Sequence, residues 1–191
     1  MIEFGTARSP GHLLPGVPLL VDPQTPDDER ELCAPVEVLL QQPLHRKVRE
    51  LIGYWRSIHP ASGLPGRRHL DPLDIPALLP NVWLIDVERE PSPRLRYRLI
   101  GTSVARAFDH DSTGEYLDET HPQSRDEQVR IYMHDVVRTK LPAWRVGRPT
   151  LWRLQDYLRL ERIYLPLADD GEQVDMILAL TIFLDRFGVE F

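Results

Sequence analysis

The sequence predicts an α+β fold of five antiparallel strands with helices gathered on one face. Two stretches carry apolar residues at spacings of three and four, one beginning at Leu44 and one following Ser124. Five others have the length and apolar pattern of strands. The order, one helix, two strands, short helices, one long helix and three strands, with no fixed-period repeat, suits a single antiparallel sheet.

Residues 44–58 place Leu44, Val48, Leu51, Ile52, Trp55 and Ile58 on one helical stripe, with His45, Arg46 and Arg49 off it. Pro60 ends the run, and residues 62–66, Ser-Gly-Leu-Pro-Gly, read as a loop. Asp71 followed by Pro72 offers an N-cap acceptor and a proline at the first helical position, while Pro76 and Pro80 keep the turns that follow short. Residues 82–87 are apolar on both alternating sets, the mark of a strand inside the sheet. After a proline turn, Leu95, Tyr97 and Leu99 alternate with Arg94, Arg96 and Arg98, giving a strand with one buried and one cationic face.

Gly101 and Thr102 close that strand. Residues 103–108 allow one or two helical turns before an Asp-Ser-Thr-Gly turn at 111–114. Ser124 and Glu127 form a capping-box pair, and Val129, Tyr132, Met133, Val136 and Val137 follow at helical spacing as far as Lys140. Strands are expected at 143–148, 157–165 and 174–184. The last two are joined through Asp169, Asp170 and Gly171, a hairpin signal because Asp-Gly tolerates positive φ.

The chain has 191 residues, 42% of them hydrophobic and 27% charged, enough for one domain with a sizeable core. Seven of its 18 prolines lie before residue 44, so 1–43 reads as a proline-rich acidic arm and 44–191 as the domain. The arm has two basic residues against seven acidic ones and residues 44–68 have six basic against one acidic, so either the arm docks on the basic helix or both are solvated surfaces. A formal net charge of −6 argues against general nucleic-acid binding, which needs surplus Lys and Arg. No apolar run has membrane-spanning length and no secretory leader opens the chain, so a cytoplasmic protein is expected. Cys33 alone supports neither an internal disulfide nor a zinc site of several thiolates.

Several short motifs in this order resemble a divergent PAS family of short bacterial proteins. They are residues 51–55 with Arg67, the Asp-Pro-Leu-Asp-Ile-Pro at 71–76, Leu-Leu-Pro at 78–80, Tyr-Arg-Leu-Ile-Gly-Thr at 97–102, and 111–114 through Leu117 and Asp118. The resemblance covers about residues 44–184 and leaves the arm outside. It implies a five-stranded antiparallel sheet in the order 2-1-5-4-3, and a module that encloses a small ligand or docks a partner in signal transduction. It implies no catalysis and does not identify a cofactor. Tyr132, Met133, Val136, Trp144 and Tyr157 fall on the elements that line the pocket in such proteins. Output is expected through a signalling protein partner, and self-association through the 44–58 helix is a further expectation.

Other candidates have plainer readings. Photochemistry through a flavin-linked cysteine does not suit Cys33, which lies in the arm. Haem ligation by His134 requires an inward side chain, yet His134 falls roughly 140° from the apolar stripe of its helix. Asp109, His110 and Asp111 resemble an acid-base or metal cluster, but successive residues rarely converge, so a polar turn is expected. His59, His69 and His121 are expected in surface loops. Arg94, Arg96 and Arg98 form either a face paired with strand carboxylates, Glu161 and Asp175 among them, or an anion- or partner-binding surface. Two alternatives to a ligand-binding module remain: a small enzyme with an acid-base pair among residues 109–111, and a ligand-free adaptor with no cavity beside Trp144.

Overall fold

The structure, a computed structural model, describes residues 30–120, 127–148, 159–185 and 187–191, excluding the side chains of 127–132. Its six strands are β1 (Arg30–Cys33), β2 (Val82–Glu88), β3 (Arg94–Ile100), β4 (Ala143–Gly147), β5 (Arg159–Leu167) and β6 (Met176–Leu184). All pair antiparallel, in the order β1-β4-β5-β6-β2-β3. The five expected strands keep the expected 2-1-5-4-3 order. The sixth, β1, comes from the segment read as arm and extends the β4 edge.

The helices are α1 (Val36–Leu39), α2 (Arg46–Ser57), α3 (Thr102–Phe108), α4 (Leu117–Thr120) and α5 (Glu127–Thr139). Ser124, the expected cap of α5, lies outside the described residues. Short 3-10 turns occupy Arg67–His69, Pro72–Asp74 and Leu79–Asn81, and Asp71 caps the second as expected, its carboxylate accepting from the Leu73 N–H at 2.9 Å.

Helices cover both faces of the sheet, not one. Along β6, Leu178 and Leu180 belong to one core with Val48, Leu51, Ile52 and Trp55 of α2, whereas Ile177 and Ala179 belong to another with Val104, Phe108, Met133 and Val136 of α3 and α5. Side chains alternate across a strand, so a strand apolar on both sets needs a cover on each side. Below, the α2 side is the outer face and the α3/α5 side the inner face.

Bonds at both ends help hold α2 on the outer face. The Trp55 indole N–H donates to the Pro166 carbonyl at 3.0 Å. At the other end the His45 backbone N–H donates to Glu161 Oε1 at 2.8 Å, while His45 Nδ1 caps the helix by accepting from the Lys47 N–H. The stripe proposed for self-association is therefore buried within its own chain, with Val48, Leu51 and Ile52 wholly inaccessible. A dimer through that stripe would have to expose this core, and the expectation is corrected.

Residues 30–39 also belong to this body. The Ala34 N–H donates to the Pro142 carbonyl at 3.1 Å, and Ala34, Val36 and Leu39 enter the outer core. Arg49 of α2 donates to the Leu40 and Gln42 carbonyls, satisfying acceptors just past the end of α1. The one carboxylate of this segment paired with α2 among the described residues is Glu37, 3.8 Å from Arg56 with both side chains exposed. Such a pair contributes about 0–1 kcal/mol, so strand pairing and apolar burial dock the segment more than charge does.

The alternation of β3 also breaks. Leu84 faces Leu99 but Ile85 faces Tyr97, so Arg98 is the extra residue of a bulge. Beyond it Ile100 takes the inward place and Leu99 is exposed. Gly101 follows, its N–H donating to the Val82 carbonyl at 2.7 Å. A Cβ there would lie 2.4–2.6 Å from the carbonyl oxygens of Leu79, Pro80 and Val82. Gly101→Ala is expected to cost about 1–3 kcal/mol in urea unfolding, with the m-value unchanged.

His59 is not a free surface group. Its ring meets Trp55 edge-on at 4.3 Å, and burial lowers its pKa below the ordinary 6.5. The unfolded chain then binds the proton more readily, so stability is full above about pH 6.5 and falls as pH drops toward the folded value. His59→Gln is expected to flatten the decline in Tm between pH 7 and 5.

Candidate functional site

The inner face carries polar groups at its centre. Arg145 of β4, Arg162 of β5 and Thr181 of β6 lie side by side in register, and Tyr164 follows Arg162 on the same face. Directly opposed residues on neighbouring strands have Cβ atoms about 4.5–5.5 Å apart. All four are buried: Arg145 is 7% exposed, Arg162 3%, Thr181 1% and Tyr164 1%. Met133 and Val136 of α5 reach the same face and are wholly buried.

Arg145 has a carboxylate partner in Glu31 of β1, with Nε 2.8 Å from Oε1. Thr181 Oγ1 accepts from the Trp83 indole N–H at 3.2 Å. Arg162 Nε meets no hydrogen-bond acceptor among the described residues, and the Tyr164 hydroxyl has no hydrogen-bond partner there either. Glu161, next to Arg162 in sequence, faces the outer side, where its Oε1 accepts from both His45 and the Trp144 indole, the latter at 3.0 Å.

Where β1, β4 and α5 meet there is a partly enclosed cavity of about 70 Å³, bounded by Glu31, Leu32, Cys33, Asp135, Ala143, Trp144, Arg145 and Tyr164. That is room for several water molecules or the head of a small acid. Cys33 Sγ lies 3.4 Å from Thr139 Oγ1, and burial raises its thiol pKa, disfavouring the reactive thiolate.

Of the expected ligand contacts, Met133 and Val136 reach the inner face. Trp144 helps bound the cavity, but its ring packs into the outer core because β4 puts Arg145 inward instead. The Tyr132 side chain and Tyr157 lie outside the described residues. His134 is exposed, on the outward side of α5. The sequence reading missed Arg145, Arg162, Thr181 and Tyr164. Their signal was a charge within an otherwise apolar strand, in Ala-Trp-Arg-Val-Gly and in the Glu161-Arg162 pair, where adjacent residues must face opposite sides.

The arginine row is occupied within the chain. Arg94 pairs with Asp118 and Glu119 at 2.8 and 2.7 Å and lies 3.6 Å from the Tyr116 ring centroid. Arg96 pairs with Asp86 and Glu88, and Arg98 with Asp86. The carboxylates come from β2 and α4 and not from Glu161 or Asp175, since Glu161 faces the outer core and Asp175 accepts from the Asp169 N–H. A free anion would have to displace these partners, so the contacts support the paired-face reading of this row.

Residues 109–111 form a turn. Asp109 adopts φ 53°, Asp111 accepts from the amide and hydroxyl of Thr113, and His110 sits 2.9 Å from Glu115. The His110 hydrogen bond lowers the Glu115 pKa. This pair is open to solvent and lacks the burial that tunes a general acid or base. No group of three or more His, Cys, Asp or Glu side chains among the described residues is placed to hold a metal ion.

A family model described as PAS domain matches residues 44–182. The chain belongs to the PAS domain family. PAS domains are generally sensory or interaction modules, and this one adds β1 and α1 ahead of the matched region. Neither a curated protein nor a solved structure matches the chain. No helix among the described residues is long and apolar enough to cross a membrane.

Glu31→Gln removes the charge that balances buried Arg145 and is expected to cost about 1–3 kcal/mol in urea unfolding. Glu37→Gln, which breaks only an exposed pair, is expected to change stability by less than about 0.5 kcal/mol.

Proposed function

We propose that this PAS domain is a sensory or regulatory module of signal transduction, in which occupancy of the interior beside β1 controls how firmly the N-terminal strand docks. No chemical step is involved. The observation that carries this is the cavity wall: Glu31 and Cys33 of β1 line a space of about 70 Å³ together with Arg145 of β4 and Tyr164 of β5. A small molecule there touches the inner sheet and the N-terminal strand together. It shifts the docked and released states only by its difference in affinity for the two. A signalling protein partner that recognises the released segment, or the sheet edge it uncovers, converts that shift into output.

A ligand-free adaptor calls for close packing beside Trp144, and the cavity bordered by Trp144 favours the ligand-binding reading instead.

Cys33 is a native reporter for this reading. Native mass spectrometry of freshly purified protein is expected to show a retained small molecule, and removing it by mild unfolding and refolding is expected to speed thiol labelling of Cys33 several-fold. An empty protein whose Cys33 labels at the same rate before and after that treatment contradicts the proposal.

A further inference from the structure

Among the described residues, two buried donors on the inner face, Arg162 Nε and the Tyr164 hydroxyl, have no acceptor. Arg162 is 3% exposed, and its Nε meets no acceptor among the described residues. Its neighbour across the ladder on one side is Arg145, whose carboxylate is Glu31; on the other it is Thr181. Thr181 Oγ1 already accepts from Trp83, so its hydroxyl proton is available to donate. Two residues along β5, the Tyr164 hydroxyl also has no partner among the described residues. One guanidinium and two hydroxyls therefore share one patch of buried sheet, where two arginines lie directly opposite and Glu31 supplies one charge between them.

Like charges directly opposite on neighbouring strands repel, and a buried unpaired cation is costly. Both penalties are relieved by one bound anion. Among the described residues Glu31 offsets one of the two arginine charges in the patch, and the charge that remains favours a singly charged group over a dianion. A guanidinium presents a planar fork that matches the two oxygens of a carboxylate, and the hydroxyls can donate to the remaining lone pairs.

We propose that Arg162, supported by Thr181 and Tyr164, binds the carboxylate of a small organic acid on the inner face of the sheet. This deepens the ligand-binding reading given above and rests on it. The rest of the molecule extends toward the cavity beside β1, which Tyr164 also borders, so that recognition of the acid and docking of the N-terminal strand act on one ligand.

The test is thermal unfolding of the full chain, wild type and Arg162→Met, in acetate, succinate, citrate or inorganic phosphate against chloride at matched ionic strength. At least one carboxylate is expected to raise the wild-type Tm by about 5 °C when well above its Kd, with phosphate weaker. Arg162→Met is expected to be at least as stable as wild type without added anion and to lose the carboxylate-dependent shift. If Arg162→Met does not fold, Thr181→Val is read in its place, with an expected reduction of that shift. A wild-type Tm that no carboxylate raises above chloride overturns the proposal, as does a carboxylate shift that persists undiminished in whichever variant is read. A larger shift with phosphate assigns the patch to phosphate esters and overturns the carboxylate. A neutral molecule retained in native mass spectrometry, with no anion response, overturns this inference alone and leaves the module reading in place. An empty protein with no anion response removes both.

Discussion

Burial of the sheet on both faces is the constraint from which the rest of this structure follows. In a sheet with one wet face, a strand can discard its polar residues into solvent. Here the central strands have no such side, so each polar side chain on β4, β5 and β6 must be satisfied within the protein or by something bound to it. The outer face meets this demand: Glu161 takes hydrogen bonds from the start of α2 and from Trp144, and Asn81 donates to the Thr181 carbonyl at 3.0 Å. The inner face meets it in part, through Glu31 on Arg145 and Trp83 on Thr181. What is left over there among the described residues, Arg162 Nε and the Tyr164 hydroxyl, is the place of the proposed carboxylate site.

The same constraint explains why residues 30–58, which run from ahead of the matched PAS region through its first helix, are structural. Without α2 the outer face of β5 and β6 would be a broad apolar surface, and without β1 the β4 edge would be open and Arg145 would lose Glu31. At least residues 30–58 complete the fold. They are joined to it unequally, however. The stripe of α2 is wholly buried and bonded at both ends, whereas β1 is four residues long at the margin of the sheet with half-exposed ends. Local opening concentrates where buried apolar contact is least, so β1 is the element that can respond without global unfolding.

The sheet was legible in the sequence because its signals are local. Two-sided apolarity placed 82–87 inside the sheet, and the arginine alternation found β3 until the bulge at Arg98 reversed it, which no period-two pattern foretells. The two-sided strands already required covers on both faces, but sequence patterns do not say which helix lies on which side. Proline density concealed β1, because four residues at an edge need little pattern of their own and take their register from β4. The candidate site was mostly illegible for a related reason. An arginine in a strand looks like a surface residue until the register sets Arg145, Arg162 and Thr181 in one row under α5, and Trp144 looked like a pocket residue until its neighbour claimed the inward side.

On the proposed reading, a bound group completes the buried donors of the inner face. A high-resolution crystal structure of the protein as purified tests this most directly. The Arg162 guanidinium is expected under α5, with an oxyanion or tightly ordered solvent within hydrogen-bonding distance of it and of the Thr181 hydroxyl. An Arg162 side chain turned out to bulk solvent, or bonded to a carboxylate of its own chain, would contradict it.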